Sequence, residues 1–484
     1  MLHLSGARLS PDATRIADFI RGEEIARDLT VFAGLSRLPA AHRLDASGVE
    51  SSIARYWQVS LPPPEPAEDA PARLRAALKA ATEARVTAET GAMLSGGLDS
   101  STLAGLAAET ARGQGFAPLR TLSFVYGADK PYDESRYIDT ANAAFGSEGH
   151  AITITSGPDL GTIAPLIEEQ MDLFLAPGLQ NSRRIYAEAR GLGLSSLLNG
   201  HGGDEVISHG YARLVELAAH RAWGRLFVEA RGAARTSGMP FWAVYLSHIA
   251  EFGGLRRRSF LRRVLARLSR MFSGKSLLSG NPRMTIEMIA PQLRAEIEAE
   301  TRYAKRPSFT TPEEFRKAAR LKHLEEIAQP ISESAFEALH RSATAAGVLP
   351  LYPFYDLRVV ELCLALPSET KLRNGQTRWV LREAMRGLLP ESIRTRQDKA
   401  IFSAEMVGSV QRFYQSRGPE PFRPLAAYLD LEQVNRQHAA LLAGTLSDHK
   451  DLFTLHVLWR LAVLLTWFDA CARWQEQQAD AGLI

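Results

Sequence analysis

The run GAMLSGGLDSSTLAGLAAE, residues 91–109, constrains the fold more than any other part of the chain. Its opening reads as a short buried strand ending at Leu94, Ser95-Gly96-Gly97 as a turn, and Ser100 to about Arg112 as a helix. A strand that ends in glycines just before a helix N-terminus offers backbone N–H groups to an anion. The glycine spacing is neither that of the lysine-containing phosphate loop nor that of the dinucleotide fingerprint. The same alternation continues downstream. TLSFVYG at 121–127 reads as a strand, ESRYIDTANAAFG at 134–146 as a helix and HAITIT at 150–155 as a strand. Residues 184–194 read as a helix, and Ser195 to Asn199 as a strand leading into GHGGDE at 200–205. Alternation at this spacing predicts an α/β fold, a parallel sheet covered by helices on both faces.

Around that unit the chain divides. Residues 1–60 predict a small cap, with a helix near Asp12 to Ala26 and strands near Ala41 to Leu44 and Ile53 to Val59. The segment LPPPEPAEDA, residues 61–70, reads as a linker, because consecutive prolines lack amide donors and favour extended backbone. Leu74, Leu78 and Ala81 then suit an amphipathic helix from Pro71 to Arg85, and beyond Tyr211 the pattern is mostly helical. With 484 residues, 45% of them apolar and 23% charged, the chain can bury a large core in two or three domains.

Charge and cysteine content exclude several classes. The net charge of +3 gives no reason to expect nucleic acid or a membrane surface as a partner. Two cysteines, Cys363 and Cys471, support neither a disulfide scaffold nor a thiolate metal site, and point to a reducing cytoplasm. No stretch reads as apolar enough to cross a bilayer. One basic segment, GGLRRRSFLRRVLARLSRMFSGKS at 253–276, carries eight positive residues on an apolar background. It reads either as a dock for an acidic peptide, partner or anionic surface, or as a solvated helix face.

The candidate site residues gather at the two glycine turns. Ser95, Ser100 and the helix N-terminus could donate to phosphate oxygens. Asp99 beside phosphate is repulsive unless a magnesium ion lies between them, or else it caps the helix. Asp204, in the second turn, could hold the same ion from the opposite side, or stand as a surface carboxylate. His201 could take a proton from an amine nucleophile, or serve only in hydrogen bonding or steric fit. In RTRQDKAIFS, residues 394–403, Lys399 sits before an apolar anchor of Ile401 and Phe402 and could neutralise an oxyanion, or be an ordinary surface lysine.

Together SGGLDSS, GHGGDE, YPFYD at 352–356 and RQDKAIF resemble, in order, the synthetase domain of the asparagine synthetase superfamily, which includes β-lactam synthetase and lasso-peptide macrolactam synthetases. The resemblance runs from about Leu38 to Leu464. It implies a parallel-sheet pyrophosphatase-loop domain, of the adenine nucleotide alpha hydrolase kind, with a largely helical C-terminal part, over residues 71–484. It also implies ATP bound by Leu94, Ser95, Gly96, Gly97, Asp99, Ser100, Phe124 and Gly200, and magnesium held by Asp99 and Asp204. Such enzymes form an acyl-adenylate, release pyrophosphate and let nitrogen attack. Lys399 would stabilise charge and His201 would act as base.

Departures from the family pattern refine the expectation. Residue 2 is Leu and the first cysteine is Cys363, so the amino-terminal cysteine of glutamine-dependent members has no counterpart and no glutamine hydrolysis is expected. VFAGLSRLPAAHRL with RYWQV resembles only the tail of a glutaminase domain, so residues 1–60 read as a remnant of one, either because the chain has lost that domain or because the translated start lies downstream of the true one. His201 stands where asparagine synthetases show an acidic residue and β-lactam synthetase a tyrosine. The stretches at 206–218 and 364–403 resemble the lasso-peptide branch, where a side-chain carboxylate of a precursor peptide is joined to the peptide's own amino terminus. The resemblance therefore implies macrolactam formation, with a precursor peptide as substrate and a leader-peptide-binding or protease partner. An ammonia-using asparagine synthetase homologue and a noncatalytic nucleotide-binding scaffold are the alternatives. Arg373, Arg378 and Arg382 could receive phosphate or carboxylate, or be solvated, with Arg378 and Arg382 sharing a helix face if 376–385 is helical.

Overall fold

A computed structural model describes residues 10–127, 130, 132–154, 159–237, 240–252, 282–299, 309–397, 404–446 and 451–480. Helix α1 (Ala13–Arg21) starts where Asp12 accepts a hydrogen bond from the Arg15 amide, and ends at Gly22 in the left-handed region. An exposed antiparallel hairpin follows, β1 (His42–Ser47) and β2 (Glu50–Arg55), both within a few residues of their predicted places. Residues 61–66 lack regular structure, and α2 (Ala70–Glu83) then buries Leu74, Leu78 and Ala81 as its spacing requires.

The central sheet has five parallel strands: β3 (Thr90–Met93), β4 (Arg120–Val125), β5 (Glu148–Thr153), β6 (Ser196–Leu198) and β7 (Leu349–Leu351). Their order is β5-β4-β3-β6-β7. From β3 the chain winds outward through α3 (Leu98–Gly113) to β4, and through α4 (Ser135–Phe145) to β5. It then returns through α5 (Leu179–Gly191) to lay β6 on the other side of β3. This reversal opens a crevice beyond the carboxyl ends of β3 and β6, the usual ligand position of such sheets. The first glycine turn follows β3 and the second follows β6, so topology alone brings them together.

Strand β7 is not foreshadowed by local pattern. It is three residues long, contains Pro350, and comes from the part of the chain that otherwise reads as helical. Proline is tolerated because β7 is an edge strand. Its pairing with β6 is tied by Asn199 N–H donating to the Leu351 carbonyl at 2.8 Å.

Helices cover both faces of the sheet. On one face α2, α3, α4 and a later helix bury Leu74, Leu98, Leu103, Ile138 and Val360 around Leu94 and Leu198. On the other, Ile185 and Tyr186 of α5 pack with Leu122, Leu197 and Ala343, and Phe124 lies against this second cluster.

Beyond the second turn lie α6 (Gly203–Ile207), α7 (Trp223–Ser237), α8 (Phe241–Phe252), α9 (Ala318–Ile327), α10 (Pro330–Ala345), α11 (Leu357–Ala365), a small hairpin of β8 (Leu372–Arg373) and β9 (Gln376–Thr377), α12 (Trp379–Ala384) and α13 (Leu452–Asp480). Helix α1 joins this helical part: Ile16, Phe19 and Ile20 share a core with Leu458 and Trp467, and Arg460 Nε donates to the Ile20 carbonyl at 3.1 Å. The expectation that no stretch is apolar enough to cross a bilayer needs correction. Residues 452–477 within α13 are long and apolar enough, their most apolar 18-residue stretch having mean hydropathy 1.4, but 72% of that stretch is buried inside the protein. Its apolarity serves a helical core. The basic segment at 253–276 lies outside the described residues.

Candidate active site

Each glycine turn is held in a shape that side chains would break. Gly96 has φ +71°, and a Cβ there would lie 2.7 Å from Tyr137 Cβ. Gly97 caps α3 in extended conformation. Leu94 is buried and its N–H donates to the Leu122 carbonyl at 2.9 Å, which fixes the strand end. The Ser95 and Ser100 hydroxyls stand 2.9 Å apart, and Ser100 Oγ accepts from the Ser95 amide at 3.1 Å. The two serines thus brace the turn as well as offering oxygens at its mouth.

The second turn fits into the first. A Cβ on Gly200 would lie 2.9 Å from the Ser100 nitrogen, and one on Gly203 would lie 2.4 Å from Asp99 Cγ. This contact places Asp99, in the first turn of α3, beside Asp204, in the first turn of α6. Arg378 Nη1 donates to Asp99 Oδ2 and to Asp204 Oδ1, both at 2.6 Å. The two carboxylates therefore face a single cationic nitrogen. Burial opposes the Arg378 charge, but Asp99 and Asp204 outweigh it and raise its pKa. His209 Nε2 stands 3.3 Å from Asp204 Oδ1 on the outer side.

Arg378 reaches this position through its backbone. The chain turns at the β8–β9 hairpin, and Arg378 adopts φ +52° ahead of α12. It does not share a helix face with Arg382, because 376–377 is strand and α12 begins only at Trp379. Arg382 is buried and donates instead to the carbonyls of Thr377 and Arg394 at 3.0 and 2.6 Å. Arg373 stacks over Trp379, 4.5 Å from the ring centroid. Surface solvation, one reading of this trio, does not apply to Arg378 or Arg382.

His201 lies in an aromatic surround. Its ring meets Phe336 edge-on at 5.2 Å and Tyr352 at 6.4 Å, while Phe336 meets both Tyr352 and Tyr355 at 4.6 Å. Its backbone N–H donates to Asn199 Oδ1 at 2.9 Å. Burial lowers the His201 pKa, and Glu205 and Asp204 only partly oppose this, so the neutral imidazole is favoured. Burial also pushes the phenols of Tyr186 and Tyr355 up to about 12.

The supporting residues are those that sequence reasoning missed. Arg396 pairs with Glu134 at 2.7 Å, lies 4.0 Å over the Tyr137 ring and reaches the Gly96 carbonyl at 3.5 Å. It therefore clamps the chain that precedes Lys399 onto the first turn. Lys399 itself, with Ile401 and Phe402, lies outside the described residues. Behind α6, the fully buried Lys371 donates to His323 Nδ1 at 2.8 Å, and His323 Nε2 donates to the Val206 carbonyl at 2.8 Å. Asp356 of the YPFYD segment is held by Arg85 and Arg358 at 2.9 and 2.8 Å and caps α11, a structural role.

Among the described residues no group of three or more His, Cys, Asp and Glu side chains forms a metal site. Two carboxylates converging on one cation nevertheless fit magnesium, which commonly takes one or two protein carboxylates and completes its shell with phosphate oxygens and water. Asp99 and Asp204 would be its protein ligands.

A parallel sheet with two interlocked glycine turns at its switch point, and paired aspartates at the mouth, defines an α/β nucleotide-binding domain of the pyrophosphatase-loop kind. The chain belongs to the asparagine synthase family, whose pattern it matches over residues 73–469. It is also similar to asparagine synthetase [glutamine-hydrolyzing] 3 of Bacillus subtilis (strain 168), 31% identical over 137 residues. That match covers 26% of this chain and 22% of the relative's length.

Proposed function

We propose that the protein adenylates a substrate carboxylate with ATP and transfers the acyl group to an amine. The carboxylate oxygen attacks the α-phosphorus and pyrophosphate leaves; the amine nitrogen then attacks the acyl carbon, AMP leaves with the carboxylate's former oxygen, and the amine loses a proton. The observation that carries this reading is the meeting of Asp99 and Asp204 at Arg378 across two glycine turns. Magnesium bound there would supply charge neutralisation for the phosphates. Arg378 would bind pyrophosphate oxygens, its guanidinium being permanently charged and already at the mouth of the first turn. Lys399, which follows the clamped Arg396 by three residues, is the proposed counter-charge for the acyl-adenylate.

For the acyl and amine substrates, the similarity to a Bacillus subtilis asparagine synthetase supports asparagine formation, for which free aspartate and ammonia are the proposed substrates. A second reading, lactam formation within a precursor peptide, is supported by His201 and its rings. Phe336, Tyr352 and Tyr355 offer apolar area and hydroxyls, a better match to peptide than to a free amino acid carrying two carboxylates. A neutral His201 could take the proton from the attacking amine. In this reading both cysteines remain thiols in a cytoplasmic setting, and a leader-binding or protease partner acts on the same peptide.

The test is product analysis by mass spectrometry with ATP, magnesium and either aspartate plus ammonia or candidate precursor peptides. Asparagine formation without peptide decides for the first reading, and loss of one water from a peptide decides for the second. No AMP release with either carboxylate class would sink both.

A further inference from the structure

Away from the nucleotide crevice, α7 and α8 present an aromatic cluster to solvent. Phe227 meets Phe241 at 4.8 Å and Tyr245 at 5.4 Å, and Phe241 meets Trp242 at 4.7 Å. Trp242 is 58% exposed and Phe227 36%. Between the helices is a cavity of about 490 Å³ lined by Phe227, Arg231, Ala234, Arg235, Phe241 and Trp242. Phe227, Arg231 and Arg235 are spaced by four, so they form one stripe along α7. Exposed aromatic rings beside arginines, with no carboxylate in the lining among the described residues, have the composition of a binding hot spot rather than of an ordinary surface.

The opposite side of α7 holds the catalytic region. Gly232 lies so close to Gly375 that a Cβ on it would be 2.0 Å from Gly375 Cα, and Glu229 Oε2 accepts from the Gly375 amide at 2.8 Å. Gly375 is the turn of the β8–β9 hairpin that leads directly into Arg378. A ligand seated on the outer stripe of α7 therefore rests on the helix that supports the arginine of the site.

We infer that the α7–α8 groove docks an acidic segment of the peptide substrate, one with an aromatic or aliphatic anchor, outside the residues that react. This rests on the peptide reading above. The occupant's acidity follows from Arg231 and Arg235, the charged side chains that line the cavity among the described residues, and its anchor from the exposed rings between them. Docking away from the reacting carboxylate raises its effective concentration at the crevice without requiring tight binding at the reacting atoms.

The test is fluorescence anisotropy of the full chain with a labelled peptide alternating Glu with Phe and Leu. Saturable binding is expected, weakened about tenfold or more in Arg231→Gln/Arg235→Gln and in Trp242→Ala, with unchanged thermal melts. Binding that is equal in these variants, or equal for a peptide with Lys in place of Glu, would overturn the proposal. So would binding to anionic lipid vesicles with the same dependence on Arg231 and Arg235, and weaker binding to the peptide. ATP–pyrophosphate exchange separates the two layers. Groove-dependent binding without any peptide-stimulated exchange keeps the groove and removes the peptide reading. Peptide-stimulated exchange with the same KM in wild type and Arg231→Gln/Arg235→Gln keeps the reading and removes the groove.

Discussion

Gly203 lies against Asp99 so closely that a Cβ added to the glycine would come within 2.4 Å of Asp99 Cγ. The contact joins the two turns, and it makes a single methyl group a probe of the site. Gly203→Ala is expected to push Asp99 away from Asp204, costing about 1–3 kcal/mol in stability and about a hundredfold in ATP–pyrophosphate exchange. Gly113→Ala, where a Cβ would meet nothing within 4 Å, is the control and should leave both unchanged.

Arg378→Ala leaves Asp99 and Asp204 facing each other without their shared donor. The adenylation rate should fall about a hundredfold, with Arg378→Lys intermediate, because an ammonium keeps the charge but lacks the planar fork. An alanine variant with an unchanged exchange rate would exclude the bridge as the determinant.

His201 offers a pH test whose sign follows from burial. Its folded pKa lies below the ordinary 6.5, so the neutral base persists in acid beyond that value. The stability this group contributes is full above 6.5 and is lost as pH falls through the lowered folded value. Titration of the imidazole by NMR should give a midpoint below 6.5, and His201→Gln should slow the amide-forming step more than pyrophosphate exchange. Equal losses in both steps would assign His201 to binding instead of proton transfer.

Lys371 gives a second pH signature, remote from the reacting atoms. Burial pushes its pKa from 10.5 down to about 8, with Arg320 adding to the shift and Cys363, Glu216 and Glu326 opposing it. Between about 8 and 10.5 the unfolded chain holds a proton that the folded chain lacks, so this lysine makes stability rise with pH across that window. The contribution amounts to about 3 kcal/mol at most. Urea unfolding at pH 7.5 and 10 should show this rise in wild type and a smaller one in Lys371→Met.

Much of the nucleotide-binding sheet was legible because its cues are local. Strand, glycine turn and helix at Leu94 to Ser100 follow from burial pattern and capping, and the recurrence of that unit predicts parallel pairing. Strand β7 escaped, since three residues containing Pro350 carry no period of their own and become a strand only by pairing with β6. The apolarity of 452–477 carries no such cue either, because a helix buried round most of its circumference shows no amphipathic stripe.

The residues of the crevice divide along the same line. Sequence alone determined that Asp99 and Asp204 each follow a glycine turn at a strand end, because glycine content, strand pattern and spacing are properties of short segments. Only tertiary structure decided that Arg378 bridges them, that Arg396 clamps the turn and that Phe336 and Tyr352 surround His201. Those partners come from distant segments, and their meeting depends on sheet order and on a left-handed backbone at Arg378, neither of which a local pattern encodes.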